Sequence, residues 1–184
     1  RWAVLIGSVF VLLCTGSIYA FSVFAGPLAA TNHWTVPQVM IAFTINAAIG
    51  PVPTIVGGIL TDHGRAKLSI ALGGILFAVG FLLTGTATSL WQLYFYYGIL
   101  AGFGQGFAYS GCLSNTMRFF PDRKGLAAGL ITGGMGAATV IAAPIANWLI
   151  SAYSVKTAFV TMGIVYLIVV LIALFFIKVA PKAA

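Results

Sequence analysis

The chain has 184 residues, 61% of them hydrophobic and 6% charged, with nine Lys and Arg against two Asp and Glu and a net charge of +7. A water-soluble domain carries about a quarter of its residues as charges, so this chain cannot cover itself in water and its solvent has to be largely lipid. The basic residues stand singly or in twos and threes between apolar runs, which excludes the concentrated basic patch of a nucleic-acid-binding protein and leaves a membrane-topology signal instead.

Lipid offers no partner to backbone polar groups, so only helices and closed barrels span it. The apolar runs here are long and continuous, without the alternation of barrel strands, and helices follow. A spanning helix takes about 20 apolar residues. Six segments meet that length, at about 2–28, 36–60, 68–86, 90–119, 125–150 and 157–177. The connections between them are short: 31–35, 61–67, 86–89, 121–124 and 151–156. The expected architecture is an all-α integral membrane protein, with one six-helix bundle occupying 1–184. The chain opens on Arg1 rather than Met, so residues upstream are expected. The first apolar stretch is too long for the core of a signal peptide.

Arg1, Arg65, Lys67, Arg118, Arg123, Lys124, Lys178 and Lys182 fall at the two ends and in the even-to-odd connections, and Lys156 falls on the other side. The side rich in Lys and Arg is cytoplasmic as a rule. Both termini are therefore expected in the cytoplasm, in a multi-pass protein of the inner (plasma) membrane. Trp2, Trp34, Trp91 and Trp148 lie near the proposed helix ends, where an amphipathic ring suits the headgroup zone.

Glycines recur every fourth residue at Gly98, Gly102 and Gly106, with Gly104 between them, and again at Gly125, Gly129 and Gly133, followed by Gly134 and Gly136. That spacing lines small residues on one helix face, for close packing or for a smooth surface along which bundles move. Pro51, Pro53 and Pro144 lie inside helices two and five and kink them. No Asp, Glu, Lys, Arg or His falls at lipid depth, so these helices hold neither a proton relay nor a charge to neutralise a substrate. Uncharged polar side chains remain: Tyr19, Asn46, Gln105, Tyr109, Asn115, Thr132 and Thr139. Tyr19, Asn46, Gln105 and Tyr109 are the candidate substrate contacts, with helix–helix hydrogen bonding as the alternative for Asn46 and Gln105. Gln105, Tyr109 and Cys112 share a face of the fourth helix by spacing. Cys14 and Cys112 lie in apolar segments without metal-ligand spacing and read as small hydrophobes. No metal or cofactor is expected. The serines have no buried base beside them, which argues against a membrane-embedded enzyme or sensor.

The connection after helix two reads Gly58-Ile59-Leu60-Thr61-Asp62-His63-Gly64-Arg65-Ala66-Lys67. It resembles the motif between helices two and three of the major facilitator superfamily, Gly-x-Leu-Ala-Asp-Arg-x-Gly-Arg-Lys. Gly58, Leu60 and Asp62 match in place, and His63 stands where a basic residue is usual. The second motif glycine falls on Arg65 without a gap, or on Gly64 with a one-residue slip. The resemblance implies a cytoplasmic gate made by Gly58, Asp62 and Arg65, and Arg118 at the end of helix four is the partner proposed for Asp62. Tyr19-Ala20-Phe21-Ser22-Val23-Phe24 and the longer run from Phe119 to Gly129 are similar to the oxalate/formate antiporter branch, itself similar to the monocarboxylate transporters. This implies the N-terminal half of a twelve-helix transporter that moves small carboxylates by alternating access. A C-terminal six-helix half would supply the basic residues, and Tyr19 and Tyr109 would supply aromatic contacts. A transporter of sugars or drugs and a six-helix unit acting as a homodimer are the competing readings.

Overall fold

The computed structural model describes residues 2–178. Within them lie α1 (Trp2–Asn32), α2 (Val36–Asp62), α3 (Ala66–Thr84), α4 (residues 90–119), α5 (Lys124–Ala152) and α6 (Val155–Phe176), with no strand among the described residues. Arg1 and Lys182 lie outside the described residues.

The helix limits have local causes. α1 runs past the expected limit at residue 28, because Thr31 Oγ1 and Asn32 Nδ2 donate back to the carbonyls of Pro27 and Leu28 at 2.8 and 3.1 Å. It stops at His33, whose φ of 59° is left-handed. α2, α4 and α6 each begin with a hydroxyl cap: Thr35, Ser89 and Ser154 accept from the N–H groups of Gln38, Gln92 and Thr157. Gln38 also accepts from the Thr35 N–H at 3.0 Å, which closes a capping box.

Two helices are irregular midway. In α1, residues 16–20 wind as a 3₁₀ turn, and in α4, Tyr94–Leu100 form a π turn. Such interruptions occur often at functional sites and hinges. In α2 the backbone stays helical at Gly50, just before Pro51, with the Gly50 N–H bonded to the Asn46 carbonyl at 3.1 Å.

Among the described residues, five of these helices are long and apolar enough to cross a membrane by length and composition, and α4, the fourth of the six expected segments, is the less apolar one. α4 is as long as the others, but it carries Gln92, Gln105, Asn115 and Arg118 among many Gly, Ser and Tyr residues. The physical reason is its position. α2 and α3 pack along it and α1 and α5 touch it, so much of it, including Gly102, Gly104, Gly106, Ser110 and Asn115, is buried against protein. By contrast, α6 turns Ile164, Ile168, Leu171, Ile172, Phe175 and Phe176 outward, an apolar face suited to hydrocarbon.

Between apolar helices in lipid there is little hydrophobic drive, and close packing takes its place. Gly16 lets α1 cross α5 so closely that a Cβ there would lie 2.7 Å from the Ala138 Cβ. In α4, Gly98 meets Ile45, Gly102 meets Asn46 and Gly106 meets Pro53, so this glycine row is a packing surface for α2. The second row behaves differently. Gly125, Gly129, Gly133 and Gly136 on α5 have nothing within 4 Å of where a Cβ would sit, and Gly134 alone of that set touches a neighbour, Val9.

The ends and the basic connections gather on one side. The Trp2 ring packs edge-on against Phe120 at 5.2 Å, and Asn115 Nδ2 donates to the Lys178 carbonyl at 2.8 Å. Asn115, a polar candidate, is therefore a tie to the end of α6.

Candidate functional site

Four helices converge on an open cleft of about 440 Å³. α1 contributes Tyr19; α2 contributes Asn46, Ala47, Gly50 and Thr54; α4 contributes Gln105, Gly106 and Tyr109; α5 contributes Thr132 and Met135. The structure thus brings Tyr19, Asn46, Gln105 and Tyr109 to one surface. α3 and α6 give the cleft no residue, since they pack on the far side of α4 and α1.

Local geometry places each group. Tyr19 sits in the 3₁₀ turn of α1 and is half exposed. Gln105 and Tyr109 lie four apart, one turn along α4. Gly106 between them lets Pro53 of α2 close against α4, which forms the floor. Asn46, Gly50 and Thr54 follow one another at four-residue spacing on one face of α2. Gly50 and Thr54 were legible from that spacing once Asn46 was singled out. Met135, an apolar residue on α5, carried no such signal.

Hydrogen bonding separates the four polar candidates. Asn46 Nδ2 donates to the Tyr97 carbonyl at 3.0 Å, so Asn46 borders the cleft and also ties α2 to α4. The helix–helix alternative therefore describes its amide nitrogen. The side chains of Tyr19, Gln105 and Tyr109 have no hydrogen-bond partner among the described residues, although each carries a donor and an acceptor. No ionisable carboxylate, amine or guanidinium lines the cleft. Cys112, on the same face of α4 as Gln105 and Tyr109, does not line the cleft and is buried in a cluster with Leu12 and Ile131, against which Tyr109 also packs. Thr139 is not among the lining residues. Among the described residues, no group of His, Cys, Asp and Glu is arranged to hold a metal.

A second constellation lies at the basic side. Arg118 Nη2 donates to Asp62 Oδ1 at 2.8 Å, and Arg118 Nη1 donates to the Thr61 carbonyl at 3.0 Å. Asp62 and Thr61 end α2, so the guanidinium caps a helix C-terminus as well as pairing with a carboxylate, both favourable for a cation. Asp62 thus sits at the C-terminal end of α2, held there by Arg118. Gly64 has φ 78°, the left-handed value a turn glycine supplies. The Arg65 side chain is exposed and makes no ion pair among the described residues; its backbone N–H closes the turn onto the Leu60 carbonyl at 2.8 Å. Gly58 is loosely packed, 3.5 Å from Ser110 Oγ by its would-be Cβ. The tighter glycine is Gly57, whose Cβ would lie 2.9 Å from Ser69 Oγ.

A bundle of apolar helices around an uncharged polar cleft, with a paired Asp–Arg at the basic side, is open to comparison with known proteins. Residues 5–184 match the Major Facilitator Superfamily. The chain belongs to that superfamily. It is 31% identical over 182 residues to the uncharacterized MFS-type transporter YhjX of Escherichia coli (strain K12), covering 99% of this chain and 45% of the relative. It is 30% identical over 170 residues to monocarboxylate transporter 12 of Xenopus laevis, covering 88% and 35%. It is 28% identical over 180 residues to the oxalate:formate antiporter of Oxalobacter formigenes, covering 97% and 43%. This major facilitator chain therefore spans a third to a half of the length of these relatives.

Proposed function

We propose that this chain forms one half of a secondary transporter for small organic anions, with the cleft as its contribution to the substrate site. The observation that carries the reading is the convergence of three uncommitted polar side chains, Tyr19, Gln105 and Tyr109, from two helices onto one open surface. Tyrosine hydroxyls and a carboxamide donate hydrogen bonds to a carboxylate without bringing a fixed charge of their own. The relatives named as monocarboxylate transporters and as an oxalate:formate antiporter support the carboxylate class.

The balancing positive charge has to come from elsewhere, because nothing in the cleft supplies it. A second six-helix half would provide it across the cleft mouth, as in transporters built from repeated bundles with a site between them near the membrane midplane. The open glycine row on α5 supports such a partner, since a thin face without neighbours accepts another helix at close range. The Asp62–Arg118 pair would hold the cytoplasmic ends of α2 and α4 together in one state of an alternating-access cycle and release them in the other. The protein would sit in the inner (plasma) membrane with both ends of this bundle in the cytoplasm, in keeping with the gathering of basic residues on their side.

The test is exchange in proteoliposomes made with the full-length protein. Vesicles loaded with oxalate, formate, lactate or another small carboxylate should take up labelled carboxylate in exchange, and Gln105→Leu should impair it. Uptake of a sugar or a cationic drug with no carboxylate exchange would overturn the substrate class.

A further inference from the structure

Tyr97 does not line the cleft, yet it touches the supports of two residues that do. The π turn explains how. At its end the Ala101 N–H reaches back five residues to the Tyr96 carbonyl, where a regular helix would use that of Tyr97. The Tyr97 carbonyl receives the Asn46 amide from α2 instead, at 3.0 Å. The side chain of the same residue runs into the bundle and is fully buried. Its ring stacks on Phe21 of α1 at 4.2 Å, and its hydroxyl donates to the Ile18 carbonyl at 2.9 Å. Ile18 lies in the 3₁₀ turn and directly precedes Tyr19. One residue thus bonds α1 beside Tyr19 through its side chain and α2 at Asn46 through its backbone, and both bonds fall where a helix is irregular.

We propose that Tyr97 is a positioning residue of the cleft, which holds the 3₁₀ turn of α1 and the Asn46 side chain of α2 in register with α4. A 3₁₀ turn has poorer internal hydrogen bonds than an α-helix and is not held by its own geometry. Here the Ile18 carbonyl accepts from the Phe21 N–H within the turn and from the Tyr97 hydroxyl across the bundle. Loss of the hydroxyl leaves the turn its own weak bond and frees Tyr19 to change its reach into the cleft. Thr132, on α5, has no bond to Tyr97 and serves as the internal control.

The experiment uses Tyr97→Phe, which keeps the ring stacked on Phe21 and removes only the hydroxyl. In a cysteine-free version of the full-length protein, Tyr19→Cys and Thr132→Cys are introduced separately and labelled with a small maleimide in membranes. Tyr97→Phe should change the labelling rate at position 19 by about threefold or more, the equilibrium shift that loss of a typical interhelical hydrogen bond in a membrane produces. The rate at position 132 should stay the same. Unchanged labelling at position 19, or an equal change at both positions, would overturn the proposal. If Tyr97→Phe fails to accumulate, Phe21→Leu, which removes the ring that Tyr97 stacks on, is labelled in its place with the same two outcomes.

A second measurement rests on the cleft being the substrate site. Tyr97→Phe should raise KM for the exchanged carboxylate and leave the maximal rate near that of the unaltered protein, and with Tyr19→Phe already present it should add little. A changed labelling rate with KM unaltered in both variants would leave the positioning role standing and overturn the cleft as the substrate site.

Discussion

Gly73 of α3 and Gly104 of α4 are reciprocal: a Cβ built on either would lie 2.6 Å from the carbonyl oxygen of the other. No side chain fits at that distance, and the opposing atom is backbone, which cannot swing aside. Gly104→Val should therefore separate α3 from α4, at a cost at or above the usual ~1–3 kcal/mol of overpacking. Melting of the detergent-purified protein should fall by many degrees, and Gly73→Val should behave alike. The double variant should cost less than the sum of the two, because the first substitution already opens the contact.

The glycines of α5 predict the opposite. Gly129 and Gly133 face no neighbour in this bundle, so Gly129→Ala adds a methyl group to open space and removes a poor helix former. The gain in helix propensity is up to ~1 kcal/mol. The bundle itself should lose no stability, whereas exchange should fall if a second half slides along this face. Cross-linking cysteines placed at positions 129 and 133 to the remainder of the full-length protein would check the second part.

Asp62 and Arg118 should not be equivalent under mutation. The Asp62 side chain is 71% exposed and that of Arg118 24%, so the ion pair is worth at most about 1 kcal/mol. Arg118 also holds the Thr61 carbonyl at the end of α2. Arg118→Ala should thus destabilise more than Asp62→Asn, and Arg118→Lys should recover only part, since an ammonium lacks the planar fork that reaches both acceptors. Thermal melting of the three variants at low and high salt reads this directly. The Asp62→Asn loss should shrink with salt, and the difference between Arg118→Ala and Asp62→Asn should persist.

How much of this was readable beforehand depended on the residue. Composition and run length place the helices because lipid demands continuous apolar stretches, and Thr31 and Asn32 were missed only because their back-bonds hide polarity inside α1. The partnership of Asp62 and Arg118 was proposed from the sequence because both stand at helix ends on the basic side, and the two side chains meet at 2.8 Å. Glycine spacing, in contrast, gives a face but not what meets it. The rows in α4 and α5 look alike in sequence, and one is packed while the other is open. Tyr97 was the least legible. Nothing in Tyr94-Phe95-Tyr96-Tyr97 announces that an inserted π residue turns the last of them inward, because that choice depends on Ile18 and Asn46, 79 and 51 residues away in the chain.

Gln105 and Tyr109 give the sharpest test of the cleft. Both come from α4, stand one turn apart and have no hydrogen-bond partner among the described residues. A hydrogen bond to a charged group is worth about 1.5–3 kcal/mol, or roughly 10–100-fold in affinity. Tyr109→Phe keeps the ring and deletes one donor, so KM for a carboxylate should rise within that range with little change in melting. Gln105→Leu removes a polar group that pays no structural role in the bundle, and it should leave stability unchanged or higher. If both variants exchange carboxylate with the KM of the unaltered protein, the substrate does not touch α4, and the cleft is not its binding surface.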